Sequence, residues 1–413
     1  MELYIHIPFC VRKCNYCDFL SFPGFGSDAD EKHHCLSDAY IDSLCREIEV
    51  LKNNMIRASY LATDFKTIFI GGGTPSILEP GQTEKLLKAI KSLKDLSNDQ
   101  GEAFCEYTVE CNPGTLCEEK LLLYKEYGVN RLSIGLQSAD NDILKRLGRI
   151  HSYETFLENY ETARKIGFKN INIDLISAVP GQSMENWRET LEKAAGLNPE
   201  HISAYSLILE EGTPLYDMYM NDPASLQLPD EDTERRMYHE TEEILNKYGY
   251  NRYEISNYSK QGFECRHNIG YWTGEEYVGL GLGAASYLSA DKLVLLRSDP
   301  QKSLDDKEKC MYRIKNAENM EEYLKNHDHS LYNIEEILDK KSRMAEFCIL
   351  GLRMCKGISV EKYKTIFGED IYDRFGNVLG KHIRSGLLVK KGDRICFSGK
   401  GLDLSNTVLC DFI

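Results

Sequence analysis

The sequence predicts an α/β fold: a core of six strand–helix repeats, followed by a smaller helical domain that carries a wing-like hairpin. Three observations support this. Short apolar runs alternate with longer amphipathic stretches as far as about residue 210, and strict alternation implies parallel strands joined by right-handed crossovers. The chemically unusual residues cluster at one end of the predicted strands. A polar stretch over 298–309 then breaks the pattern, dividing the chain into 1–297 and 298–413.

Apolar runs predict strands over 3–7, 67–70, 107–110, 131–136, 170–175 and 201–209, and helical periodicity predicts helices over 38–53, 84–96, 118–127, 153–166 and 185–195. Periodicity is compatible with an open doubly wound sheet and with a partial barrel. Cys10, Gly71-Gly72-Gly73, Glu110, Gln137 and Asp174 fall at or just past the C-terminal ends of their strands. That edge is where parallel α/β architectures bind ligands. Each residue alone reads as a turn or a cap; five on one edge point to a site. A further helix is predicted over 230–248, then an irregular Gly- and Tyr-rich region to about 288. Beyond 309 come helices over 344–354, 360–367 and 371–385, and a hairpin of 387–389 with 394–397 around Lys391-Gly392-Asp393.

The 413 residues are 42% hydrophobic and 28% charged, an ordinary globular composition. A net charge of −15 argues against a nucleic-acid partner, which needs clustered Lys and Arg. Met1-Glu2-Leu3-Tyr4-Ile5-His6-Ile7 lacks the basic and apolar regions of a signal peptide, and no long apolar run follows, so a cytoplasmic location is expected. Fourteen cysteines in a cytosolic chain of this length read mostly as buried thiols rather than a disulfide framework.

Cys10-x3-Cys14-x2-Cys17 is different. It lies in the loop straight after the first strand. A structural zinc site would need a fourth ligand, for which His6, His33 and Cys35 are candidates. Three thiolates so closely spaced also suit three corners of an iron–sulfur cubane, leaving one iron open.

The string Ile5-His6-Ile7-Pro8-Phe9-Cys10 through Tyr16-Cys17-Asp18-Phe19 resembles the radical S-adenosylmethionine (SAM) superfamily, and Gly71-Gly72-Gly73-Thr74-Pro75 resembles its glycine-rich SAM segment. The resemblance implies a partial (β/α)6, TIM-like radical SAM barrel with a C-terminal helical, winged-helix-like domain. It also implies a [4Fe–4S] cluster on Cys10, Cys14 and Cys17, with SAM chelating the fourth iron and yielding a 5′-deoxyadenosyl radical on reductive cleavage. By the same resemblance Tyr4, Gly72, Gly73, Thr74, Glu110, Gln137, Arg149 and Asp174 are the SAM-binding residues. Glycines allow close backbone approach to the methionyl end.

Over nearly its whole length the chain resembles the branch that holds the anaerobic coproporphyrinogen III oxidases and the heme chaperones. Two features favour the chaperones. The oxidases usually carry another Cys where Phe19 stands, and Cys265-Arg266-His267-Asn268-Ile269-Gly270-Tyr271-Trp272 matches the chaperones' His-Asn-x-x-Tyr-Trp signature. The resemblance therefore implies heme as a ligand, held by His267, Tyr271 and Trp272; imidazole is a common axial ligand of heme iron, and the aromatics offer flat apolar contact. One departure is Gly283-Ala284-Ala285-Ser286, where many relatives have a His before the Ser. Implied partners are heme-accepting clients such as respiratory proteins, met peripherally at the membrane, and a low-potential electron donor. The runner-up is oxidative decarboxylation of coproporphyrinogen III; a heme-degrading radical SAM methyltransferase is a third reading. Whether SAM is a ligand, a slow substrate or a regulator is left open.

Overall fold

The computed structural model describes residues 1–26, 29–58, 65–94, 106–296, 310–326 and 332–413. Its centre is a parallel sheet of β1 (Glu2–Ile7), β2 (Thr67–Gly72), β3 (Glu106–Cys111), β4 (Arg131–Gln137), β5 (Ile171–Ser177) and β6 (His201–Ser206), each predicted from its apolar run. The crossovers carry α1 (Glu31–Arg57), α2 (Pro80–Lys94), α3 (Glu118–Glu126), α4 (Asn141–Arg146), α5 (Tyr153–Ile166) and α6 (Met184–Gly196). Of these, α4 was not predicted, because six residues span too few turns to show a helical period.

Strand order settles the choice that periodicity leaves open. The strands run β1-β2-β3-β4-β5-β6 in sequence order, every neighbouring pair parallel. A doubly wound sheet reverses its order at a switch point; here each strand adds on the same side as the last. The crossover helices therefore form one layer, α1 packing on α2, α2 on α3 and α3 on α5. This is the winding of a partial barrel, and it does not close. β1 pairs on its outer side with Tyr277–Leu280, and β6 with Asn257–Ser259. Leu3, Ile5, Ile7, Leu132, Ile134, Ile171 and Ile173 are fully buried under the helix layer. Alternate residues (Tyr4, His6, Phe69, Glu110, Asp174) belong to the other face of the sheet, the barrel interior.

The Gly- and Tyr-rich region read as irregular is structured. It holds β7 (Asn251–Arg252), β8 (Asn257–Ser259), a helix at Arg266–Thr273, β9 (Tyr277–Leu280) and β10 (Ala285–Ser289). Strands of two to five residues are too short for a period-two signal, so only pairing reveals them. The predicted domain boundary falls on 298–309, outside the described residues. Beyond it β11 (Met311–Asn316), antiparallel to β10, and β12 (Tyr332–Leu338), antiparallel to β11, extend the same sheet, giving twelve strands among the described residues. A second core then gathers around Cys348, Leu352, Tyr363, Ile371, Leu379 and Ile395. It contains the predicted helices Lys340–Gly351, Val360–Phe367 and Ile371–Arg384. Its hairpin pairs Leu388 with Phe397 and Lys391 with Arg394, and a third short strand, Ile358–Ser359, completes a three-stranded wing.

Candidate functional site

The cysteine loop leaves β1 and folds against the glycine-rich turn after β2. Cys10 is buried, with Sγ 3.5 Å from Thr74 Oγ1, while Cys14 and Cys17 are half-buried and none forms a disulfide. Burial pushes the Cys10 thiol up and the Cys17 thiol to about 11, and the neighbouring thiols add to both shifts. The three groups thus share one electrostatic environment. A metal core bound there would displace their protons. Arg149 Nη1 donates to Cys14 Sγ at 3.4 Å, placing a fixed positive charge beside the loop. Among the described residues no three His, Cys, Asp or Glu side chains converge on one point.

The strand edge supplies the second part of the site. Gly72 sits at φ +114°, and a Cβ there would lie 2.5 Å from the His6 ring; a Cβ on Gly73 would lie 2.8 Å from Phe9 O. Only glycine lets the turn pack this closely over the cysteine loop. The Gly72 N–H donates to Glu110 Oε2 at 3.1 Å, and Thr74 Oγ1 accepts from Asn112 Nδ2 at 2.7 Å. Arg149 Nη2 donates to Asn112 Oδ1 and Gly135 O at 3.0 and 2.9 Å, while its buried Nε has no partner among the described residues. Asp174 accepts from Ser133 Oγ and Asn172 Nδ2. Gln137, buried at φ +70° beside a register shift in β4, holds a backbone conformation that is sparse for non-glycine residues and that clusters at functional sites. Two carboxyl groups, an under-satisfied guanidinium and a half-buried glycine turn offer acceptors and donors that suit a zwitterionic, sulfonium-bearing ligand.

Glu110 carries a testable consequence. Burial, then the charge of Asp174, push its carboxyl up to about 8, against 4.5 in the unfolded chain. A group whose pKa is raised on folding stabilises the fold below its unfolded value and loses that contribution as pH rises through the folded one. The cofactor-free protein is therefore expected to lose thermal stability between about pH 4.5 and pH 8, and Glu110→Gln, which stays neutral, to show a flatter profile in that window by calorimetry. Equal slopes for the two proteins count against the buried, protonated carboxyl.

The third part is the helix Arg266–Thr273. The sequence places it beyond the six repeats, but the structure inserts it among them. Glu106, the first residue of β3, accepts the backbone N–H groups of Arg266 and His267 at 2.9 and 3.1 Å, satisfying two free donors of the helix N-terminus. His267 is 1% exposed. Its ring stacks on Phe69 of β2, centroids 4.9 Å apart at 22°, and meets Tyr271 edge-on at 4.9 Å. Burial, then the nearby Arg131 charge, push the imidazole down to about 3, so it is neutral at physiological pH. A neutral imidazole is the form that ligates iron. Trp272 takes no part in this cluster: its ring lies under the Arg353 guanidinium at 5.3 Å, and its Nε1 has no partner among the described residues.

A cavity of about 650 Å³ joins the strand edge to this helix; of the eight predicted SAM residues Tyr4, Gly72 and Glu110 line it, while Cys14, Thr74 and Arg149 line a separate, smaller pocket. Glu110 and Gly72 line the larger cavity at the strand edge, Tyr4 and Phe69 along the interior, and His267 and Tyr271 beneath. Its size falls within the roughly 300–1,000 Å³ of small-molecule sites. Ala285, at the position of the expected His, is exposed on its wall. Trp272 does not line it, so the structure brings two of the three predicted heme residues to the cavity. Sequence reasoning missed Phe69, Thr67 and Glu106; inward-facing strand residues look like ordinary core until the helix that covers them is known.

Residues 4–194 match the radical SAM superfamily, and residues 338–404 match the HemN C-terminal domain. The chain is 38% identical over 412 residues to the heme chaperone HemW of Lactococcus lactis subsp. lactis, covering 99% of this chain and 96% of that one. This chain belongs to the HemW family. Similarity to the Bacillus subtilis heme chaperone HemW is 33% over 410 residues, covering 99% of this chain and 98% of that one; for the Escherichia coli heme chaperone HemW it is 38% over 284 residues, 69% of each. Among solved structures, coproporphyrinogen III oxidase (HemN) of E. coli shares the fold over 100% of this chain and 89% of that one, with a TM-score of 0.76 at 22% identity. HemW membership brings the cofactors of the radical SAM superfamily, a [4Fe–4S] cluster and SAM.

Proposed function

We propose that this chain is a heme chaperone that holds heme in the 650 Å³ cavity against His267 and Tyr271 and passes it to heme-dependent proteins, respiratory ones among them. Its [4Fe–4S] cluster would rest on Cys10, Cys14 and Cys17. Its SAM would be held by Tyr4, Gly72, Gly73, Thr74, Glu110, Gln137, Arg149 and Asp174. Trp272 supports the motif helix from its other side, against Arg353. The observation that carries the reading is the shared cavity: a neutral, aromatic-flanked imidazole lines the same space as Glu110 and Gly72 of the strand edge.

When bound, the cluster and SAM supply one-electron chemistry beside the cavity. The protein's own residues do the rest. Arg149 neutralises thiolate charge at Cys14, Glu110 and Asp174 offer acceptors to hydroxyl or cationic groups, and Phe69 and Tyr271 shield the imidazole from water. In this reading the protein works in the cytoplasm, draws on a low-potential electron donor and meets membrane respiratory clients peripherally. Among the described residues no helix is long and apolar enough to cross a membrane.

After anaerobic reconstitution, the protein is expected to bind heme with a distinct Soret spectrum and to leave coproporphyrinogen III unconverted when SAM and a reductant are supplied. Protoporphyrinogen made at a catalytic rate would replace the chaperone reading with the oxidase one. Asp174→Ala is expected to weaken SAM binding by about ten- to a hundredfold, the worth of a lost hydrogen bond to a charged group, with iron content unchanged. Equilibrium dialysis with labelled SAM checks this, and wild-type affinity would remove Asp174 from the site.

A further inference from the structure

The two ring nitrogens of His267 have different partners. Nδ1 lies 2.7 Å from Thr67 Oγ1 and 3.8 Å from Glu2 Oε2, a buried oxygen with no hydrogen-bond partner among the described residues. Of the two oxygens only Thr67 Oγ1 is within hydrogen-bond distance, and it accepts when the ring proton sits on Nδ1. Nε2 has one partner, Tyr271 Oη at 3.1 Å, one helical turn along the same helix. With Nδ1 protonated, Nε2 is an acceptor and the tyrosine O–H donates to it. Glu106, accepting the Arg266 and His267 N–H groups, and Phe69, stacked on the ring, fix the imidazole against rotation. Tyr271 is half-buried at the cavity wall.

We infer that Thr67 is a positioning residue that holds His267 as its Nδ1–H tautomer, and that the Tyr271 hydroxyl is a latch on Nε2 which an incoming heme iron displaces. This rests on the heme-ligation reading above. The exchange would break the O–H···Nε2 hydrogen bond and free the Nε2 lone pair to hold heme iron in place of the solvent ligand the iron brings, which would leave as water, with no change of oxidation state. The latch keeps the buried imidazole satisfied while no heme is present, since an unpaired buried acceptor is costly. Thr67 acts as the outer partner that metal-bound histidines characteristically use to fix tautomer and orientation.

The test combines two measurements on the full chain. In heme-free protein labelled with ¹⁵N-histidine, His267 is expected to show the Nδ1–H tautomer in wild type and in Thr67→Ser, and a tautomer mixture in Thr67→Val. In heme titrations, Tyr271→Phe should bind about two- to tenfold tighter than wild type, because one hydrogen bond no longer competes. Thr67→Val should bind about ten- to a hundredfold weaker, with a heterogeneous Soret band, and Thr67→Ser should restore both. An Nε2–H tautomer in wild type, or Tyr271→Phe binding no tighter, overturns the inference even if Thr67→Val fails to fold. His267→Ala in the same titration separates the two levels. If it binds heme like wild type, ligation itself is wrong; if it loses heme while the Thr67 and Tyr271 variants match wild type, only the latch is.

Discussion

Cys14→Ala, reconstituted anaerobically, should lose the broad charge-transfer absorbance of a [4Fe–4S] cluster, with iron falling to background. The reason is ligand count. A cubane held at three corners already leaves one iron open, and removing another thiolate exposes a second to solvent and oxygen. Cys14 is the most informative of the three because Arg149 Nη1 donates to its Sγ at 3.4 Å. Without that thiolate the guanidinium, whose Nε has no partner among the described residues, loses a further acceptor. Cys10→Ala and Cys17→Ala should behave likewise. Cys265→Ala should keep its cluster, since Cys265 is fully buried and its Sγ donates to Glu106 Oε1 at 3.4 Å, away from the loop. Iron and sulfide analysis with electron paramagnetic resonance decides the matter. A full-strength cluster in Cys14→Ala would sink the assignment, and stoichiometric zinc in anaerobically purified wild type would restore the zinc alternative.

His267→Ala should weaken heme binding by about a hundredfold or more, equivalent to ~3 kcal/mol or greater, and shift the Soret band. An imidazole–iron bond is directional and Ala offers nothing in its place, so only contact with Phe69 and Tyr271 remains. Cluster content and SAM affinity should stay at wild-type levels, because His267 touches neither the cysteine loop nor Arg149, Glu110 or Asp174. The substitution also strands two hydroxyls, Thr67 Oγ1 and Tyr271 Oη, each losing a ring nitrogen at 2.7 and 3.1 Å. An unsatisfied buried polar group costs about 1–3 kcal/mol. The thermal midpoint is therefore expected to fall, and His267→Gln, which can still bond to Thr67, serves as the second variant. Wild-type heme affinity in both variants would remove His267 as the ligand.

Much of the site was legible in one dimension because its chemistry is local. Cys10, Cys14 and Cys17 share one short loop, and the glycines of 71–73 follow a strand directly. Strand periodicity placed Glu110, Gln137 and Asp174 on one edge, since parallel strands align their C-terminal ends whatever the curvature of the sheet; their reading as SAM residues came from the family resemblance. Periodicity likewise recovered helices such as Tyr153–Ile166 and Val360–Phe367 with their predicted bounds. It failed where elements were short. β7 to β10 and α4 carry too few residues for a period to register, so a Gly- and Tyr-rich stretch that completes the sheet read as irregular.

By itself, then, the sequence determined the alternation of strands and helices, the edge at which the candidate residues gather, and the thiol set with its spacing. Each is a property of neighbours along the chain. Only the tertiary structure decided that the six strands wind in one direction as an open partial barrel, because strand order depends on pairing between distant segments. Only it decided, too, that the helix of His267 closes the barrel interior. The parallel pairing of Tyr277–Leu280 with β1 draws that helix over β1, β2 and β3, so that Glu2, Thr67 and Glu106, far apart in sequence, surround one imidazole. No local pattern encodes that meeting. It follows from burial of the helix against the strand ends, where Glu106 satisfies its free N–H groups.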